Sequence, residues 1–292
     1  MGADVSAVIT VYNGEAVLRR SIESVLRQTV PVAELIVVDD GSTDGTPDVA
    51  RSYGDRVTYL RQDNRGVAAA RNAGLSRAAA PWVAFLDDDD EWLPEKIERQ
   101  HAALHRDPQA AASYTALWFH QLDGTAVREH LPRSDLPRVM RLRNPFPPSV
   151  MMARRDALLE LGGFDERLRG ASCEDWDLNV RLLSRFRVLD VDEPLTNYYE
   201  NGSSNSLRHY RRMLTNSLSI LDATLLSGLS GLDRAVWRRR IQGRIYQKAA
   251  ISARQLGEPA VGLLLKSIAL WPAPDGRLKT LALELGRALR AR

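Results

Sequence analysis

Over the first ninety residues, short unbroken apolar runs alternate with segments in which apolar side chains return every three or four positions. Val5 to Val11 reads as a strand buried on both faces, and Leu18, Ile22, Val25 and Leu26 mark one face of a helix from about Glu15 to Gln28. Glu34 to Val38 is a second strand, followed by a short helix to about Tyr53. A strand at Val57 to Arg61, a helix from Gly66 to about Arg77 and a strand at Trp82 to Leu86 complete the series. Strands and helices joined by short loops in this order predict a parallel sheet covered by helices on both faces. Ligands of such sheets bind outside the carboxyl ends of the strands. Three of those ends are polar: Thr10-Val11-Tyr12-Asn13, Asp39-Asp40 and Asp87 to Asp90. All three are expected on one rim.

Further along, Ala111 to about His130 turns β-like around an Asp123-Gly124 hairpin signal, and Asn144 to Pro148 is a proline-rich loop before a short strand, Ser149 to Ala153. Gly162-Gly163 marks a helix end, and Glu174 to Arg185 starts another helix. After Ser206 the pattern is helical throughout. The chain thus reads as an α/β domain over 1–206 and a helical region over 207–292. Charge follows the same division: residues 207–292 hold 16 basic and 5 acidic side chains, so a total of +3 combines a tail at +11 with a body at −8.

With 292 residues, 44% of them hydrophobic, the chain can bury a sizeable core. Its single cysteine, Cys173, excludes an intrachain disulfide framework and fits a reducing compartment. No apolar run reaches about eighteen residues and the N-terminus enters a strand directly, so we expect a cytoplasmic protein.

Four adjacent carboxylates, Asp87 to Asp90, repel one another unless a hard cation or ordered water neutralises them. Mg²⁺ or Mn²⁺ is typically held by one or two carboxylates together with ligand phosphates, so the run implies a metal and a phosphate. Glu174-Asp175 falls at a helix start, where free amides favour an ionised carboxylate, although an aspartate there also serves as a simple cap.

These segments resemble the family 2 glycosyltransferases of the GT-A fold. The resemblance rests on Ser6 to Asn13, Val37 to Thr46, Phe85 to Pro94, Gly163-Phe164-Asp165 and Glu174 to Asp177, in order and at the family's spacing. It implies a Rossmann-like, mostly parallel sheet and an inverting transfer of sugar from a nucleotide sugar, with UDP as the expected nucleotide. By resemblance, Thr10, Val11 and Tyr12 hold the base, and Asp40, or Asp39 in its place, accepts a hydrogen bond from it. Arg71 lies near the nucleotide or the acidic rim. Asp89, with Asp87, ligates the metal, and Asp88 or Asp87 meets the ribose. Asp175 is the catalytic base, paired with Glu174. Trp176 offers a face to the acceptor sugar or packs in the core.

One segment departs from the family. Tyr199 and Glu200 stand where many members have an arginine after the tyrosine, which leaves Arg208 or His209 as replacement phosphate contacts. The expected partners are a nucleotide-sugar donor and a glycan or lipid-linked acceptor. The basic tail, with Arg234, Arg238, Arg239, Arg240, Arg244 and Lys248, either touches an anionic membrane surface or is the solvated face of a helical bundle. Nucleic acid is not expected, since no recognition motif accompanies the charge. A metal-dependent nucleotidyltransferase and a non-catalytic nucleotide-sugar-binding module are the other two readings.

Overall fold

The computed structural model describes residues 2, 4–129, 136–144, 146–169, 173–200, 209–272 and 280–281. Strands β1 (Val5–Val11), β2 (Glu34–Asp39), β3 (Thr58–Arg61) and β4 (Trp82–Asp87) run parallel in the order β3-β2-β1-β4. Between them come the helices α1 (Leu18–Leu26), α2 (Thr46–Arg51) and α3 (Val67–Arg77). All seven residues of β1 are buried, as an unbroken apolar run covered on both faces requires.

Winding reverses after β3, so β1 lies between β2 and β4 at the switch point of the sheet. Register brings the polar strand ends together: Val11 pairs with Asp39 on one side of β1, and Thr10 with Asp87 on the other. The convergence read from the pattern is therefore a property of the strand order.

Past β4 the sheet continues with β8 (Met151–Arg154), β6 (Ala110–His120), β9 (Arg187–Tyr199) and β5 (Glu91–Trp92), while β7 (Ala126–Glu129) folds back on β6. β5, β7 and β8 run against the other six strands, so the sheet is mostly parallel. Helices α4 (Lys96–Arg106), α5 (Leu136–Leu142), α6 (Arg155–Glu160) and α7 (Glu174–Arg185) complete this part of the chain. Ile9, Ile22, Leu35, Val37, Leu86 and Trp92 belong to its main core. A buried Leu, Ile or Val side chain contributes about 1.5–3 kcal/mol relative to exposure.

The first helix starts three residues later than the periodicity predicts. The intervening backbone is claimed by the loop after β2: Asn13 N donates to Ser42 Oγ (2.9 Å), Gly14 N to Thr46 Oγ1 (2.9 Å) and Glu15 N to Asp44 Oδ2 (3.1 Å). These bonds hold two rim loops against each other. The β-like stretch after Ala111 is the β6–β7 hairpin, turning at residues 121–125 with Gly124 at φ 86°.

Two compact units emerge, one comprising Met1–Met140, Asn144–Arg169 and Glu174–Gly202, the other Arg141–Arg143, Gly170–Cys173 and Ser203–Arg292. In the second, α8 (Tyr210–Ile220), α9 (Gly231–Gln255) and α10 (Val261–Leu270) share a core of Cys173, Met213, Ala249, Ala253 and Leu264. The small alanines of α9 let its neighbours approach closely. No helix among the described residues is long and apolar enough to cross a membrane.

Candidate active site

The rim at the ends of β1, β2 and β4 is built from loops that hydrogen-bond to one another. Thr10 and Val11 are buried, whereas the Tyr12 ring is 50% exposed beside them. Asp39 and Asp40 are both buried and both engaged. Asp39 accepts from Ser42 N (2.7 Å), Tyr59 Oη (2.6 Å) and Arg61 Nη1 (3.1 Å), which fixes the loop to β3. Asp40 accepts from Gln62 Nε2 (2.7 Å), Arg65 N (2.8 Å) and Gly66 N (2.7 Å), tying β2 to the start of α3. Each aspartate thus sets the shape of the loop next to Tyr12.

Arg71, on the buried face of α3, bridges two of the carboxylates picked out from the sequence. Its guanidinium donates to Asp87 Oδ1 (2.7 Å) and to Glu174 Oε1 (2.8 Å). Burial alone would lower its pKa, but the two carboxylates raise it, so the charge stays in place.

The rest of the acidic run is held by its backbone. Ser21 Oγ, on α1, donates to Asp88 O (2.6 Å) and Asp90 O (2.8 Å), and Arg20 Nη2 donates to Asp89 O. The Arg20 guanidinium also lies 3.9 Å from the centre of the Tyr199 ring, whose hydroxyl donates to Glu91 Oε2 (3.1 Å). Asp90 is fully buried. Its Oδ2 accepts from Ser149 Oγ, and its Oδ1 has no hydrogen-bond partner. Burial, reinforced by neighbouring aspartates, pushes the Asp88 and Asp90 carboxyls well above the usual range.

The donor set suits a hard divalent cation in offering oxygen ligands only, among them a buried oxygen of Asp90 without a hydrogen-bond partner. The run does not bring three carboxylate oxygens within 4.8 Å of one another, the separation met by a different group of described residues.

Asp175 sits at the start of α7, half-buried, with Oδ1 accepting from Trp176 N (2.7 Å). Burial and the adjacent Glu174 charge raise its pKa to about 7, although Arg71 and the amide pull the other way. Desolvation and a like charge thus oppose the helix amides at this position. Tyr198, near the end of β9, pairs with Phe119 of β6 and stacks on its ring. Burial raises its pKa, and further increases come from Asp90, Asp87, Asp89 and Asp175, so all four charges reach one phenol.

Two side chains at the start of α7 turn inward. Glu174 is a buried ion-pair partner of Arg71, so its carboxylate anchors and does not face a reactant. Trp176 is buried with its indole Nε1 donating to Met140 O (2.5 Å), which makes it a core residue and no sugar platform. Of the replacements for the missing arginine, Arg208 lies outside the described residues and His209 precedes α8 in the other unit. Sequence reasoning passed over Arg20, Ser21, Ser149 and Tyr198. Their only signals are polar residues inside apolar segments and a tyrosine pair near a strand end.

A switch-point rim of carboxylates on a mostly parallel sheet defines a protein of the GT-A fold. The chain belongs to glycosyl transferase family 2, which matches residues 6–162. It is 31% identical over 228 residues to EpsE of Bacillus subtilis (strain 168), covering 76% of this chain and 82% of EpsE. Other relatives are matched over only 32% and 33% of their own length. The fold is shared with S. aureus TarS 1-349 in complex with UDP-GlcNAc, at TM-score 0.64 and 18% identity over 96% of this chain and 84% of that one. It is shared too with the mannosyltransferase PcManGT from Pyrobaculum calidifontis in complex with GDP-Man and Mn²⁺, at TM-score 0.61 and 18% identity over 98% and 85%.

Proposed function

We propose that this glycosyltransferase moves a sugar from a UDP-sugar to an acceptor hydroxyl with inversion, using residues 1–206 as its catalytic domain. The observation that carries this reading is the Arg71 bridge, which joins Asp87 of the acidic run to Glu174, the neighbour of Asp175. Single displacement requires one carboxylate to take the acceptor proton and a separate site to hold the diphosphate.

In this reading the nucleobase rests against Tyr12, beside Thr10 and Val11, in the loop that Asp39 and Asp40 shape. Asp87 and Asp88 meet the ribose and Asp89, with Asp87, faces the diphosphate. Asp89 and Asp87 would hold a Mg²⁺ or Mn²⁺, which would supply charge neutralisation for the departing nucleoside diphosphate, as the Mn²⁺ named with PcManGT supports. Arg71 keeps Asp87 and the start of α7 in fixed relation. Asp175 takes the acceptor proton while the acceptor oxygen attacks the anomeric carbon from the face opposite the diphosphate. General-base assistance of this kind is worth roughly 10²- to 10⁴-fold.

The acceptor we assign is a glycan or lipid-linked sugar at the inner face of a membrane, with the basic region over 207–292 making a peripheral electrostatic contact. Incubation with UDP-sugars and Mn²⁺ or Mg²⁺, with product analysis, tests the reaction. Release of UDP and a new glycosidic bond, both abolished by EDTA and cut by at least about 10²-fold in Asp175→Asn, is the expected result. Pyrophosphate in place of UDP would establish a nucleotidyltransferase. Tight UDP-sugar binding without turnover on any acceptor would leave a binding module.

A further inference from the structure

At the opposite end of β1 from the rim, the residue before the strand meets two histidines one turn apart on α4. Asp4 Oδ1 contacts His101 Nε2, and the rings of His101 and His105 lie 3.9 Å apart between centres. One ligand atom from each of the three residues lies within 4.8 Å of the others. Seven strand residues separate Asp4 from the rim, roughly 20 Å at the rise of an extended chain, so this cluster is independent of the donor site.

We propose that Asp4, His101 and His105 form a binding site for a divalent transition metal of the zinc class, joining the start of β1 to α4. Residues four apart on a helix point to the same side, so His101 and His105 present their rings together. His105 Nδ1 lies 3.0 Å from His101 O, a carbonyl that can only accept, so Nδ1 carries the proton and Nε2 keeps its lone pair for a metal. The His101 Nε2 to Asp4 contact is one in which a cation replaces the shared proton. Asp4 is itself anchored, since Trp82 N donates to its carbonyl oxygen (3.3 Å).

Two imidazoles and a carboxylate suit Zn²⁺, Co²⁺ or Ni²⁺ and not Mg²⁺, which prefers oxygen ligands. Tetrahedral ligands about zinc stand roughly 3.3 Å apart, given Zn–N and Zn–O lengths near 2.0–2.2 Å, against the 4.8 Å within which these three ligand atoms lie. All three side chains are at least partly exposed, so the ion can enter and a water can fill the fourth position.

The test is titration of the full chain, stripped with chelator, with Zn²⁺ against a chromophoric indicator, and with Co²⁺ followed by its visible spectrum. Asp89→Asn serves to separate the acidic rim. One zinc equivalent is expected to bind wild type and Asp89→Asn alike, with roughly tenfold or greater weakening in His101→Ala and in His105→Ala, at least the loss typical of a missing outer-shell partner. Zinc should raise the melting temperature of wild type and not of His105→Ala. Equal zinc affinity in wild type and both histidine variants, or zinc binding lost only in Asp89→Asn, would overturn the site. Because neither histidine touches the rim, failure here leaves the proposed sugar transfer standing.

Discussion

Arg71 shows how one side chain can hold a site in register. It is buried, it joins β4 to α7 through Asp87 and Glu174, and its fork reaches both acids at once. Lysine has one point charge in place of the planar fork, so Arg71→Lys should keep the fold but lose one of the two contacts. Arg71→Met leaves buried carboxylates uncompensated, a change that costs about 3–5 kcal/mol in comparable pairs, and chemical denaturation should register it. Asp175 makes a second claim at this scale. If it is the base, kcat/KM should fall about tenfold per pH unit on the acid side of its pKa, which burial and Glu174 raise to about 7, and Asp175→Asn should lack that limb. The linkage has a definite sign. Between the usual carboxylate range and about pH 7 the folded state keeps a proton that the unfolded chain has released, so stability is present below that window and lost as pH rises through it. Asp88 and Asp90 shift in the same direction. Melting temperature should therefore drop from about pH 5 to about pH 8, and drop less in Asp175→Asn. A rise over that interval would contradict the assignment.

Elements differ in how far the sequence reveals them. β1, β2 and β4 are legible because burial on both faces demands continuous apolar runs, and the rim follows from their parallel order. β9 is not. Asp190, Asp192, Glu193 and Pro194 interrupt it, and its pairing with β6 jumps from Val191 to Pro194 through an irregularity that sets Asp192 and Glu193 aside. Tyr198 was illegible for the same reason, since its place beside the acidic run depends on that strand. A helix start looks alike whether its side chains turn inward or outward, so the sequence leaves Trp176 between core and sugar face and does not show that Glu174 pairs with Arg71. Helix packing also separates two glycines that sequence treats equally. A Cβ at Gly74 on α3 would lie 2.3 Å from Val8 Cγ1, so Gly74→Ala should destabilise by about 1–3 kcal/mol despite alanine's better helix propensity. Gly262 on α10 faces open space, and Gly262→Ala should stabilise by up to about 1 kcal/mol. The clamp from α1 gives a functional counterpart. Ser21→Ala removes both bonds to the Asp88 and Asp90 carbonyls, so the Mn²⁺ concentration for half-maximal activity should rise while UDP-sugar affinity at saturating metal changes little. An unchanged metal requirement would show that α1 does not set the Asp89 loop.

At the scale of the whole molecule, the uneven charge is the feature that pattern alone made visible and the structure qualifies. Arg234 and Arg238 both pair with Asp222, Arg239 donates to the Ala269 and Leu270 carbonyls at the end of α10, and Arg240 lies over the Trp237 and Trp271 rings. Much of the basic character thus stabilises the helical unit itself. Those contacts redistribute the positive charge without removing it, for residues 207–292 remain at +11. Leu232, 80% exposed, and Val236 stand on the same stretch of α9, so apolar and basic groups share one short segment. Each basic residue near an anionic surface contributes about 1 kcal/mol, an attraction that salt screens, whereas burial of a leucine in the lipid interface is insensitive to salt. Sedimentation of the full chain with vesicles should therefore require anionic lipid, weaken as salt rises, and weaken further in Leu232→Asp at any salt concentration. Equal binding to neutral and anionic vesicles would assign the arginines to holding the helices together and nothing more.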